Sequence, residues 1–258
     1  MIDLLKRVYQ HRTLLQILVM RDLKVRYRGT AMGFMWSFLN PLVLMTIYSL
    51  VFSVYMRVQM QNYAYFLLCG LLPWNCFAGG IGEGTNSILS NGGLIRKVNL
   101  PSEIFPLVTV CSNVVHYLLS VPILILFALY KGVDLGWPIL LFPVFLVIQI
   151  AMTYGCVLFT SATTVQFRDM LYIVPNVMMM FMFLTPIFYS ADAIPEKYAL
   201  LQYLNPLTSL MQCYRSIFFL NRVPDWHAVL ASIFFAVGIL AFASTFFEKR
   251  KEYFAELV

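Results

Sequence analysis

"RDLKVRYRGTAMGFMWSFLNP" (Arg21 to Pro41) changes character halfway: Arg21, Lys24, Arg26 and Arg28 crowd eight residues, and no further charge occurs before Arg57. Cations set hard against a long apolar run mark a chain that meets a membrane at its surface and then enters it. Composition extends that reading to the rest. The 258 residues are 60% hydrophobic and 12% charged, whereas soluble domains run about half apolar and about a quarter charged. A soluble protein is excluded. No segment is polar enough to stand apart, so residues 1–258 are expected to form a single membrane domain.

Six runs reach the roughly 20 residues that a spanning helix needs: Ala31 to Met56, Tyr63 to about Leu89, Ile104 to Tyr130, Trp137 to Val165, Leu171 to Tyr189, and Trp226 to Phe247. The expected fold class is all-α integral membrane. It has six transmembrane helices, an N-terminal amphipathic interfacial helix and two short outer re-entrant helices. Residues 1–30 precede the spans, 31–189 hold spans one to five, 190–225 form an outer loop, and 226–258 carry span six and a tail. Of the Lys and Arg residues in the flanks, 13 fall on one side and 5 on the other. Both termini are therefore expected on the cytoplasmic side. The first apolar run is too long for a signal h-region, so no cleavable signal is expected. The five cysteines form no CxxC pair and four lie inside apolar runs, which points to buried thiols and away from a metal site or a disulfide frame.

Before the first span, Ile2, Leu5, Val8, Tyr9, Leu15, Leu18, Val19 and Leu23 recur at helical spacing, with Lys6, Arg7, Gln10 and His11 on another side. This describes a helix lying in the membrane surface, in contact with lipid. Arg21, Lys24 and Arg28 share one of its faces, and Asp22 can pair with Arg26 at i, i+4. Two readings fit the row. It is a topology anchor, each cation contributing about 1 kcal/mol near anionic lipid, or it is a contact for a phosphate or diphosphate headgroup.

Ion-coupled carriers place titratable groups at the bilayer midplane. Here the acidic candidates Glu83 and Glu103 stand at span ends, and His116 is a lone buried histidine read as structural. HExxH, GxSxG and P-loop patterns are absent, and Gly80 to Gly84 reads as a small-xxx-small helix contact. Catalysis within the chain is not expected, nor is a metal, a cofactor or a nucleic-acid partner; the energy for any transport must come from elsewhere. In the first span Phe34, Phe38, Tyr48, Phe52 and Tyr55 fall on one line, with Pro41 and Met45 filling the spacing. Bundle packing and a sugar-stacking pore lining both fit such a face. The methionines around Met179 and Met182 suit either compliant packing or a soft gate. A wide hydrophilic solute would strand polar groups in lipid, so a wide pore has to lie between two copies.

Five segments carry a family resemblance: "RDLKVRYRGTAMGFMWSFLNPL" (Arg21 to Leu42), "RKVNLPSEIFP" (Arg96 to Pro106), "FRD" (Phe167 to Asp169), "TPIFY" (Thr185 to Tyr189) and "YLNPLTSLMQCYR" (Tyr203 to Arg215). In that order, and over nearly the whole chain, the sequence resembles the membrane subunits of type-two ABC exporters. More narrowly it resembles the permeases that export O-antigen, capsular polysaccharide and teichoic acid.

The resemblance implies a homodimer carrying two cytoplasmic ABC ATPase subunits, which bind the ATP and Mg. It implies a polyprenyl-diphosphate-linked glycan crossing a bacterial inner membrane through a channel between the two permeases. The N-terminal helix becomes a gate at the cytoplasmic mouth, with Arg21, Lys24, Arg26 and Arg28 near the diphosphate. Leu94, Ile95, Arg96, Lys97, Val98 and Asn99 become the loop that couples to the ATPase. Tyr189, Tyr203, Asn205 and Arg215 join Met179 and Met182 at an outer gate, and Phe34, Phe38, Tyr48, Phe52 and Tyr55 line the channel. Rival readings are a type-two exporter of a drug or lipid, an intramembrane enzyme using a polyprenyl diphosphate, and an ion-coupled carrier. The enzyme would need clustered acidic ligands at a membrane face, and none is visible in the sequence.

Overall fold

The structure, a computed structural model, describes residues 2–55, 57, 60–97, 100–191, 194–198 and 205–254. Helices carry the fold, and there is no strand among the described residues. Two helices precede the first span, α1 (Ile2–Gln10) and α2 (Arg12–Tyr27). The sequence reads as one amphipathic helix here; the chain breaks it at His11, because its halves take different seats. Leu4 of α1 enters the main core. Leu14, Leu15, Leu18 and Val19 of α2 pack instead on Ile104, Phe105 and Val108.

After α2, Gly29 and Gly33 both adopt positive φ, +79° and +49°, which glycine reaches at little cost. The turn delays the first span, which opens with a 3₁₀ turn at Gly33–Met35 and becomes α3 (Trp36–Ser49), five residues later than the hydropathy pattern suggests. It ends in a π-helical turn, Leu50–Tyr55. The next elements are α4 (Tyr63–Thr85), the short α5 (Ser87–Ser90) and α6 (Gly92–Lys97), and α7 (Ile104–Tyr130). A 3₁₀ turn at Trp137–Leu141 leads into α8 (Phe142–Gln166), followed by α9 (Met170–Leu184), α10 (Pro206–Phe218) and α11 (Trp226–Arg250).

Five of these segments are long and apolar enough to cross a membrane: Trp36–Tyr55, Tyr63–Thr85, Ile104–Tyr130, Trp137–Gln166 and Trp226–Tyr253. The fifth expected span differs. Its helix α9 has only 15 residues, roughly 22 Å of rise, because Thr185 is extended (ψ 134°) ahead of Pro186. A residue before proline is pushed out of the helical region.

Helix α4 is the centre of the bundle. Over its most apolar 18 residues 78% are buried, against 6% for the α3 span. Close approach at α4 depends on missing side chains. A Cβ on Gly80 would stand 2.9 Å from Thr153, and one on Gly84 would overlap Val157 of α8 and lie 2.9 Å from Thr109 of α7. The small-xxx-small pair thus seats α4 against its neighbours, as van der Waals packing requires where lipid removes the hydrophobic drive between helices. Helix α10 begins at an Asn-Pro pair: Asn205 Oδ1 accepts the Leu207 amide at 3.0 Å, and Pro206 fills the first turn. These residues favour a helix start for separate reasons, a capping acceptor and a preset φ. The helix is buried along nearly all of its 13 residues and packs on α4, α8 and α11. It is too short to cross. Of the stretch that precedes it, Glu196–Tyr198 makes one 3₁₀ turn, and residues 199–204 lie outside the described set.

Candidate substrate path

At the basic end of the bundle, α2 divides its cations. Arg26 is neutralised: its Nη2 donates to Glu83 of α4, and Asp22 stands 3.6 Å away at the i, i+4 spacing. Arg21, Lys24 and Arg28 make no ion pair among the described residues. They share one groove of about 530 Å³ with Gln16, Ile17, Met20 and Val25. Arg21 reaches across to donate to Asn91 Oδ1 at 3.3 Å. One face of α2 therefore carries uncompensated positive charge beside exposed Ile17, Met20 and Val25, a surface suited to an anionic group on an apolar tail.

The residues of the expected ATPase loop fall on α6 and just beyond it. Leu94 and Ile95 pack into the small apolar cluster that α2 and the start of α7 build, and Arg96 is exposed. Lys97 ends the helix, its side chain outside the described set together with Val98 and Asn99. The loop after α6 leads to Glu103, whose carboxylate is 2% exposed and accepts from Arg7 Nε at 2.5 Å; Arg7 also donates to Glu248 at the end of α11. Burial pulls the Arg7 guanidinium down, the two carboxylates pull it up by more, and the net shift is upward. Arg7 thus ties the N-terminal helix to the segment that follows α6 and to the C-terminal helix.

At the opposite end, Arg215 is 6% exposed and makes no ion pair with a carboxylate among the described residues. Its charge is met by the main chain after α9: it donates to the carbonyls of Pro186, Ile187 (2.6 Å) and Tyr189 (3.4 Å), and its guanidinium lies 3.7 Å over the Phe66 ring. Asn205 holds the same segment from the other side, Nδ2 donating to Thr185 Oγ1 at 3.0 Å. Tyr189 Oη donates to Phe183 O at 2.9 Å. Tyr189, Asn205 and Arg215 are therefore brought together around residues 185–189. Met182 packs toward the core, Met179 is 63% exposed on the uncovered side of α9, and Tyr203 lies outside the described set.

The aromatic line of the first span splits along its length. Tyr48 and Phe52 meet Phe188, with ring centroids 4.8 and 5.1 Å apart, while Tyr55 is 71% exposed. Phe38 is half-buried, and the Phe34 side chain lies outside the described set. Phe188, from the TPIFY segment, and Tyr63, whose hydroxyl donates to Phe188 O at 2.7 Å, belong to this group, and Tyr63 carries no distinguishing motif in the sequence.

Between the basic end and the bundle's middle lies a cleft of about 510 Å³ walled by α2, α3, α4 and α7. Arg26, Glu83 and Asn113 close one side, Asn113 Nδ2 donating to Glu83 Oε2 at 2.7 Å. Tyr27, Ser37 and His116 share hydrogen bonds, with 2.7 Å from Tyr27 Oη and 3.1 Å from Ser37 Oγ to His116 Nδ1. Considered singly these residues look structural. Their spacing is the available signal: Asn113, His116 and Ser120 stand three and four apart on α7, and Asn75, Gly79 and Glu83 stand four apart on α4, which puts each set on one helix face.

These features define a multi-pass helical membrane protein with a cationic surface at one end, a polar cleft leading inward and a tied-down segment at the other end. The chain belongs to the ABC-2 type transporter membrane family, which matches residues 13–219. It is similar over its full length, at 38% identity over 260 aligned residues, to the O-antigen export system permease protein RfbA of Myxococcus xanthus. It is 33% and 32% identical to two O-antigen export system permease proteins RfbA of Klebsiella pneumoniae, with 95% of each chain covered.

Proposed function

We propose that this chain is the permease subunit of an ATP-driven exporter that moves a lipid-diphosphate-linked polysaccharide of the O-antigen type across the bacterial inner membrane. The observation that carries the reading is the end-to-end similarity to three O-antigen export permeases. The site supports it. Arg21, Lys24 and Arg28 offer unpaired charge to the diphosphate, beside apolar side chains that suit its lipid tail. Two copies assemble about a shared channel, and the α3 span, at 6% buried the least covered of the five candidate spans among the described residues, offers its apolar surface for that contact. Phe34, Phe38 and Tyr55 line the channel, with Tyr48 and Phe52 backing it against Phe188. Both termini are cytoplasmic, and the outer gate is built on residues 185–189 with Met179, Met182, Tyr203, Asn205 and Arg215.

Two cytoplasmic ABC ATPase subunits bind the ATP and Mg and dock on α6. Leu94 and Ile95 anchor that helix, and Arg96, Lys97, Val98 and Asn99 face the partner. Because Leu94 and Ile95 share a cluster with α2, a push on α6 moves the cationic helix. The test is affinity purification of the chain expressed with its neighbouring genes. A soluble ATPase should co-purify stoichiometrically and be released by Arg96→Glu with Lys97→Glu. An ATPase absent from the wild-type material under gentle solubilisation overturns the reading.

A further inference from the structure

The cleft behind α2 holds polar groups far inside the apolar spans. His116 stands 12 residues into α7 and Asn75 10 residues from the end of α4, roughly 15–18 Å of helix rise. Polar side chains at such depth are costly in lipid unless they satisfy one another or face a polar occupant. Arg26, Glu83 and Asn113 satisfy one another, as do Tyr27, Ser37 and His116. Asn40 of α3 and Asn75 of α4 line the same cleft, and their carboxamides make no hydrogen bond among the described residues.

The chemistry of that lining selects its occupant. A carboxamide both donates and accepts, which matches a hydroxyl group; a phosphate only accepts and is better met by a cation. Arg26 brings no net charge to the cleft, because Glu83 and Asp22 neutralise it. Trp36, 47% exposed at the rim, adds an aromatic surface for the apolar face of a ring. The volume falls within the roughly 300–1,000 Å³ of small-molecule sites. Arg26 lines the cleft, and the free cations line a separate groove on the same helix.

We infer that this cleft binds the sugar that directly follows the diphosphate, through Asn40 and Asn75, while Arg21, Lys24 and Arg28 hold the diphosphate itself. The inference rests on the lipid-diphosphate-glycan reading above and adds a sugar-reading site to it. Each copy of the permease then recognises the junction between lipid carrier and glycan, and the growing chain beyond it passes on toward the channel.

Two synthetic probes separate the parts: a short-chain prenyl diphosphate, and the same molecule carrying one hexose. Binding of each is titrated on the permease–ATPase complex in lipid nanodiscs. The sugar-bearing probe should bind about tenfold more tightly than the bare diphosphate, and Asn40→Leu with Asn75→Leu should bring that ratio near one with little change for the bare probe. Equal binding of the two probes to the wild-type complex overturns the sugar site and leaves the diphosphate reading standing. No binding of either probe overturns the diphosphate reading and the sugar site with it. The wild-type comparison needs no variant, so a variant that fails to assemble leaves the test intact.

Discussion

Arg215 and the cations of α2 handle the same charge in opposite ways. Arg215 is enclosed: its two terminal nitrogens donate to three main-chain carbonyls and its guanidinium lies on the Phe66 face, while its buried Nε has no partner among the described residues. Arg21, Lys24 and Arg28 stand in an open groove without a carboxylate. A buried charge whose partners come from its own chain holds a shape, since removing it strands those partners in a low-dielectric interior. A charge left unsatisfied at a surface contributes little to the fold and remains available to a ligand. The contrast gives Arg215 a structural role and leaves the α2 cations available to a ligand.

Substitutions test that contrast. The largest expected effect is at Arg215: Arg215→Leu leaves the carbonyls of Pro186, Ile187 and Tyr189 without their donor and should destabilise the protein by on the order of 3 kcal/mol. It would be read as loss of the monodisperse fraction in detergent on heating. Gly70→Val comes next. A Cβ at Gly70 would lie 3.1 Å from Arg215 Nη2 and 3.5 Å from Ile187, so a branched side chain should cost about 1–3 kcal/mol by overpacking, measurable in the same thermal assay. Arg7→Ala should cost less, about 1–2 kcal/mol, since Arg7 is part-exposed but leaves the buried Glu103 carboxylate uncompensated. Protease should then cut near residue 11 faster, because α1 loses its tie to α7 and α11. Neutralising Lys24 and Arg28 to Gln should alter stability by no more than about 0.5 kcal/mol, yet lower export severalfold. If these four rank otherwise, with the α2 cations as costly to remove as Arg215, the division between fold and recognition is wrong.

Much of this was legible in the sequence, and the exceptions share a cause. Long apolar runs announce spans because a bilayer demands length, which is why α4, α7, α8 and α11 fall close to their expected limits. The Asn205-Pro206 pair likewise acts locally and could be read directly as a break before a helix. The ends of α3 and α9 could not be placed from hydropathy, because Gly29, Gly33 and Pro186 set them through backbone geometry. Arg215 counts by sequence as an outer-loop residue, and only the packing of α10 against α4 shows it to be enclosed. The cleft was hidden for a related reason: Glu83, Asn113 and His116 look incidental one at a time, and they become a site only when α2, α4 and α7 converge.

We propose above all that the free cations of α2 read the anionic end of the exported lipid-linked glycan. The most direct test is glycan export in cells carrying Arg21→Glu, Lys24→Glu and Arg28→Glu together, with membrane insertion and ATPase association measured on the same variant. Loss of surface glycan, with the lipid-linked glycan accumulating inside and the complex still assembled, is the predicted result. Undiminished export from a correctly inserted triple variant would contradict it and leave the row as a topology anchor.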